Sequence, residues 1–417
     1  MQPSTRRPRS SWRTVRTLIG LAGLAAVPWL TGCDRAHHES QPEAPTFGRA
    51  GALAIQDLGT LPDGRASGAT GVNARGQVVG TSATASGVHA FLWDGAMHDL
   101  GTLGGTNSFG TALNAQGQVG GWSETPSSGC RPFLWDRGAM QDLGGLGGDL
   151  VTPGACPGAF GSIVLNARGQ AAGIGATASG AQHAFLWDGR AMLDLGSGYS
   201  GDPYGRDFSL AVAINNAGTV AGFCCFRMEG GHASIWDGGT LRDLGTLGGV
   251  ASGARAINDA GHVAGFSATG VANTHAFLWD GTTMHDLGAL GGPRAYSEAV
   301  AINARDQAAG QSFTASGNTH AFFWDGAELR DLGTLPGGDY SQATAMNDAG
   351  QVVGFSYTVP EDYSSRHAFL WDGTTMYDLG TLGGKASEAV AINNAGDIVG
   401  FAENGAGEQH AVLWRVP

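Results

Sequence analysis

Three short segments recur eight times along this chain in a fixed order, and that period constrains the fold more than any other feature. The first is Phe-Leu-Trp-Asp-Gly or a close variant, with its tryptophan at Trp93, Trp135, Trp187, Trp236, Trp279, Trp324, Trp371 and Trp414, at spacings of 42 to 52 residues. The second, Asp-Leu-Gly, begins at Asp57, Asp99, Asp142, Asp194, Asp243, Asp286, Asp331 and Asp378. The third, at its clearest Ala-Ile-Asn, ends at Asn73, Asn114, Asn166, Asn215, Asn258, Asn303, Asn347 and Asn393. Three residues after each asparagine stands a glycine, with Asp306 as the one exception, and then a Val-Val-Gly-like segment. Repeats of this length are single supersecondary units that bury their apolar faces only by stacking on one another.

Each segment reads as a short strand. Ala-Ile-Asn-x-x-Gly-x-Val-Val-Gly is a hairpin, because Asn and Gly tolerate the positive φ of a tight turn. Phe-Leu-Trp-Asp-Gly-x-x-Met-x-Asp-Leu-Gly is a second hairpin, turning at Asp-Gly. His-Ala-Phe-Leu-Trp is apolar at consecutive positions, which implies burial on both faces of its sheet. Four strands in roughly 45 residues, repeated, are the signature of a propeller blade. We label the strands A (Ala-Ile-Asn), B (Val-Val-Gly), C (His-Ala-Phe-Leu-Trp) and D (Asp-Leu-Gly). The expected fold is all-β: an eight-bladed β-propeller over residues 52–417, with seven blades as the alternative.

The ends of the array are offset. It opens with a lone D strand at residues 53–58 (LAIQDL) and finishes with a lone C strand at residues 410–414, where Arg415 replaces the turn aspartate. The closing blade is therefore expected to combine the N-terminal strand with three C-terminal strands. That closure leaves no exposed sheet edge inside the ring. An open solenoid would need capping repeats, and the sequence has none.

Residues 1–32 have the organisation of a signal peptide: Arg6, Arg7, Arg9, Arg13 and Arg16, then an apolar run at residues 17–30. The run is shorter than the roughly 20 residues of a spanning helix, and Pro28 interrupts it. Leu30-Thr31-Gly32-Cys33 resembles the lipobox of bacterial lipoproteins. The resemblance implies cleavage before Cys33 and acylation of that cysteine. Residues 33–51, with Pro42 and Pro45, read as a flexible tether. The expected location is the bacterial cell envelope, periplasmic or surface side, with the lipid anchor as the sole membrane contact. Loss of the five leader arginines takes the formal charge from −13 to −18. Nucleic acid is excluded as a partner, since its binders concentrate positive charge. A monomer is expected.

The string His-Ala-Phe-Leu-Trp-Asp-Gly, Asp-Leu-Gly-Thr-Leu-Gly-Gly, Ala-Ile-Asn-Asn-x-Gly resembles the HAF family of probable extracellular repeat proteins. The match is best over residues 89–105 and 367–384 and extends over about residues 53–416. The resemblance implies an exported repeat protein and carries no activity, cofactor or site.

The repeated polar residues invite a chemical reading and favour a structural one. His89, His183, His232, His275, His320, His367 and His410 open strand C, but an outer strand keeps them too far apart to share an ion, and blade 2 has Arg131 instead. The recurring Asp and Asn read as caps of turns and loops. No HExxH, GxSxG or Walker A motif is present, and no His/Cys spacing suits zinc. No cofactor is expected; calcium bound by acidic loops is the one metal reading considered. Cys130 and Cys156 fall in loops of neighbouring repeats and could pair, whereas Cys224 and Cys225 form either a vicinal bridge or buried thiols.

Function is expected where the repeats differ. The A–B and C–D turns are short and share one face; the D–A and B–C connections share the other and hold the long insertions, at residues 149–160, 197–208 and 358–366. Two clusters there combine aromatic and charged groups: Tyr199, Asp202, Tyr204, Arg206 and Asp207, and Glu361, Asp362 and Tyr363. Such groups suit sugars or peptides. The reading is a binding or scaffold lipoprotein, not an enzyme, that presents its loop face to a protein, peptide or glycan. The alternative is a polysaccharide-acting hydrolase or lyase built from carboxylates of different blades.

Overall fold

The computed structural model describes residues 54–126, 129–148, 162–198, 207–225, 230–270 and 273–415. It contains eight four-stranded antiparallel sheets, each in the order A-B-C-D. Blade 1 is formed by Ser67–Val72, Val78–Ala83, Val88–Trp93 and Met97–Asp99. Blades 2 to 7 follow at residues 108–142, 164–194, 209–243, 248–288, 297–331 and 341–378. Blade 8 joins Gly383–Ile392, Asp397–Asn404 and Gln409–Arg415 to the N-terminal strand Ala54–Asp57. That strand pairs antiparallel with the last, Ile55 opposite Trp414. The expected closure is therefore present, and the count is eight. Among the described residues no helix is long and apolar enough to cross a membrane.

The apolar residues fall into eight clusters, one at each junction between blades. Strand C explains why. Phe91 joins the cluster between blades 8 and 1, while its neighbour Leu92 joins the one between blades 1 and 2. Consecutive side chains point to opposite faces of a strand, so a strand buried on both faces must be apolar at both. Phe91, Phe133, Phe185, Phe277, Phe322 and Phe369 are fully buried, each contributing about 1.5–3 kcal/mol of burial.

Hydrogen bonds close the ring as well. In every blade the asparagine that ends strand A donates through Nδ2 to the asparagine carbonyl of the next blade, at 2.9–3.3 Å. The last of these, Asn393 to Asn73, joins the end of the array to its beginning. The Oδ1 atom of the same residue caps its own turn; Asn73 Oδ1 accepts from the N–H groups of Arg75 and Gln77. The sequence reading identified the cap and missed the belt.

A second clasp joins neighbouring blades. The strand C amide of Ala90 donates to Ser108 Oγ at 2.9 Å, and that hydroxyl donates to the Gly101 carbonyl at 2.6 Å. Six further junctions have the same amide-to-serine bond. At the junction of blades 2 and 3 the alanine is Pro132, which has no N–H to donate.

The repeated histidines form the third device. His89 Nδ1 meets the Asp99 carboxylate at 2.9 Å, and six equivalent pairs run around the ring, ending with His410 and Asp57. Each of these aspartates also accepts the amide of the glycine two residues on. Histidine and aspartate thus hold strands C and D together, as the structural reading expected.

Candidate functional site

The propeller has two ends, and they differ in how far their polar groups are already engaged. At the A–B turn end a cavity of about 320 Å³ is lined by Asn114, Asn166, Asn215, Asn216, Asp259 and Asp348, among others. Asn114, Asn166 and Asn215 belong to the belt. Asp259 accepts from the amide and side chain of Asn216, and Asp348 from the Ala304 amide and the Asn394 side chain. The cavity lies where the fold is tied together, and its acids already serve the neighbouring turns.

Within strand A, three residues before the turn asparagine, seven blades carry a bulge at the equivalent position: Thr70, Thr111, Val212, Arg255, Val300, Thr344 and Val390 are passed over in the register. A bulge re-aims a side chain. Thr70, Thr111 and Thr344 reach carbonyls of the next blade at 2.7–2.9 Å. Arg255 instead reaches the Glu298 carboxylate of blade 6. Tyr296 donates to the other oxygen of Glu298 at 2.6 Å. Burial, followed by the adjacent carboxylate, pushes the Tyr296 hydroxyl far above its ordinary pKa.

Blades 7 and 8 hold the corresponding group in a more open form. The B–C loop at residues 358–366 folds into a short 3-10 turn, Tyr363–Ser365, capped by Asp362. Asp362 Oδ1 accepts from the Ser364 amide and hydroxyl, and those bonds hold its carboxyl below the usual range. Glu361 adopts φ 58° and anchors its amide on Asp339. Both acids therefore shape the loop, which leaves Tyr363, 51 % exposed, as the group turned outward.

Behind Tyr363 lies an aromatic platform. Tyr340 stacks on Tyr357 and Phe355 at ring separations of 4.6 and 5.8 Å, and Tyr363 meets Tyr357 and Phe355 edge-on. The Arg366 guanidinium sits 3.9 Å from the Tyr363 ring centre and 5.2 Å from that of Phe401. Its Nε donates to Glu388 Oε2 at 3.1 Å. Burial raises the Glu388 carboxyl above its ordinary value, partly offset by Arg366. Burial likewise raises the hydroxyls of Tyr340, Tyr357 and Tyr363.

The other candidates read from sequence are distributed differently. Asp207 accepts from Ser197 Oγ at 2.5 Å and meets His183 Nε2 at 2.7 Å, so it ties down the base of its insertion. Tyr199, Asp202, Tyr204 and Arg206 lie outside the described residues, as do Cys33, Cys156, the leader and the tether. Cys130 is disulfide-bonded. Cys224 is a buried thiol 3.2 Å from Ser234 Oγ and is not disulfide-bonded, which removes the vicinal bridge. Among the described residues no group of three or more His, Cys, Asp or Glu could hold a metal ion. Sequence reasoning missed Tyr340, Tyr357, Arg366, Glu388 and Phe401. The available signal was position: Arg366 and Glu388 are charges inside strands whose counterparts in most blades are uncharged.

Fold and geometry together define an eight-bladed β-propeller with one irregular, aromatic sector on its loop face. Solved structures similar to the chain include a prolyl endopeptidase, at TM-score 0.50 and 11% identity, covering 85% of this chain and 50% of that one. Another is dipeptidyl peptidase 4 of Porphyromonas gingivalis, at 0.49 and 11%, covering 88% and 58%. A third is the β-propeller domain of the trilobed protease from Pyrococcus furiosus, at 0.47 and 12%, covering 76% and 96%. This chain thus spans about half the length of the first two. At these identities the likeness is one of fold. No family model and no curated protein matches the sequence.

Proposed function

We propose that this protein is a binding lipoprotein of the HAF type, held at the cell envelope by acyl chains on Cys33, and that it captures its ligand on the loop face of blades 7 and 8 without turnover. One contrast carries the reading. The polar groups that repeat around the ring are engaged in holding it together, whereas this sector keeps groups in reserve. Glu388 Oε1, Arg366 Nη2 and the hydroxyls of Tyr357 and Tyr363 make no hydrogen bond among the described residues. Rigid scaffolds commonly place recognition on such variable loops. The protein, peptide and glycan classes named from the sequence all fit a face of this kind.

The test is co-sedimentation of the full-length protein with envelope material from its host. Cys33→Ser removes the acyl anchor, and the protein is then expected to be retained through its ligand alone; in that background Tyr363→Ala combined with Arg366→Ala is expected to abolish retention. Retention unchanged by those two substitutions in the anchor-free protein would place the ligand elsewhere on the propeller.

A further inference from the structure

We propose that the ligand of this sector is an uncharged glycan, seated on Tyr363 and hydrogen-bonded by Glu388 and Arg366. The inference rests on the reading of the loop face as the binding face, and names the chemistry that face would recognise.

Three observations point to it. The first is the state of the Tyr363 ring. Half of the side chain is exposed, yet its orientation is fixed by edge contacts to Phe355 and Tyr357 and by the guanidinium 3.9 Å away. The protein's own cation already fills the cation–π position, the usual attraction for an ammonium ligand. What remains is a rigid, electron-rich surface suited to the C–H face of a sugar ring.

The second is the set of unengaged polar groups beside it. Glu388 Oε1 can only accept when ionised, and Arg366 Nη2 can only donate. A sugar hydroxyl does both, so adjacent hydroxyls can satisfy an acceptor and a donor together. Blade 6 shows the same design closed off: there Arg255 and Tyr296 take both oxygens of Glu298. Blade 8 has Ala386 in the position of Tyr296, and Glu388 Oε1 has no hydrogen-bond partner among the described residues.

The third is charge. Glu361, Asp362, Asp339, Glu388 and Glu403 surround the sector, against Arg366 and Lys385. This excess of carboxylates disfavours uronate, sulfate or phosphate groups on the ligand. Peptide docking by strand addition needs an unpaired sheet edge, and strands B and C behind the platform are paired on both sides.

Calorimetric titration of the full-length protein in detergent would use neutral hexasaccharides of β-linked glucose, N-acetylglucosamine and mannose, hexagalacturonate, and a mixed hexapeptide pool. At least one neutral hexasaccharide is expected to bind. Tyr363→Ala should then weaken it about tenfold or more, a change of about 1.4 kcal/mol. Tyr363→Phe should retain most of the affinity, Glu388→Gln should lose part of it, and Tyr296→Phe in blade 6 should leave it unchanged. Three results overturn the inference: tighter binding of hexagalacturonate, binding of the peptide pool alone, or neutral-glycan binding insensitive to Tyr363→Ala. If no neutral glycan binds while envelope retention still depends on Tyr363, the glycan class falls and the binding face stands. If retention ignores Tyr363, both fall.

Discussion

The asparagine belt makes a quantitative prediction. Asn347 is 4 % exposed and serves two blades at once. Its Oδ1 accepts from the amides of Ala349 and Gln351, and its Nδ2 donates to the Asn393 carbonyl at 3.1 Å and to Gln351 Oε1 at 2.7 Å. Asn347→Ala removes all four bonds. The Asn393 carbonyl keeps one partner, the Gly396 amide, so that loss costs about 1 kcal/mol, the net worth of an ordinary bond. The Gln351 amide and side chain lose buried partners, at about 1 kcal/mol or more each. A total of about 3 kcal/mol is expected, and Asn347→Asp should not rescue it, because it sets a buried carboxylate oxygen against the Asn393 carbonyl and Gln351 Oε1.

Unfolding entropy is about 2.1 cal/mol/K per residue near 60 °C. Over a ring of roughly 360 residues, 3 kcal/mol therefore corresponds to a fall in melting temperature of about 4 °C. Scanning calorimetry resolves that shift. Arg75→Ala, at an exposed site in the equivalent turn of blade 1, is the control and should change stability by less than about 0.5 kcal/mol. If Asn347→Ala and Arg75→Ala melt together, the belt contributes nothing to the ring and its recurrence has another cause.

Two other substitutions separate strain and charge from packing. Asp306, at φ 60°, is the one repeat position where the turn glycine is replaced, and its carboxylate bonds Asn258 and His262 at 2.8 Å. Asp306→Ala and Asp306→Gly both lose those bonds, but only Ala keeps a Cβ in the left-handed region, so it should be less stable than Gly by about 1 kcal/mol in urea unfolding; equal midpoints would refute the strain account. Glu388 is raised by burial in the folded state. A carboxyl with a raised folded pKa binds more protons folded than unfolded, so its contribution improves as pH falls through the folded value. Glu388→Gln should therefore exceed the wild type in stability at pH 7, and the gap should narrow toward pH 5; a gap that widens would show that the Arg366 pair outweighs burial.

Most of the architecture was legible because each strand carries its own marker and the markers repeat. The apolar run of strand C announced burial on two faces, and the unmatched strands at the two ends announced the closure between Ile55 and Trp414. The belt was hidden for a physical reason. An asparagine that caps its own turn is a local event visible in the spacing to the following glycine. Its second bond goes to a carbonyl some 41 to 52 residues away, and no sequence spacing reports where a side-chain amide points. The candidate site was legible only in part. The acidic pair Glu361 and Asp362 stood out by composition and proved to shape the loop. Arg366 and Glu388 come from different blades and meet only in the folded ring.

The departures from the repeat differ in their bearing on function. At the junction of blades 2 and 3, Pro132 removes the strand C donor of the serine clasp. That departure concerns how neighbouring blades are fastened and says little about activity. Blade 8 departs at the loop face: it keeps the acid of blade 6 at Glu388 and has Ala386 in place of the tyrosine, so one carboxylate oxygen has no hydrogen-bond partner among the described residues. That oxygen is not one of the buried unpartnered atoms, which among the described residues are Trp187 Nε1, Trp236 Nε1, Thr269 Oγ1 and His275 Nε2. It stays open to solvent beside the fixed Tyr363 ring, so a ligand hydroxyl can reach it without first displacing a bond of the fold.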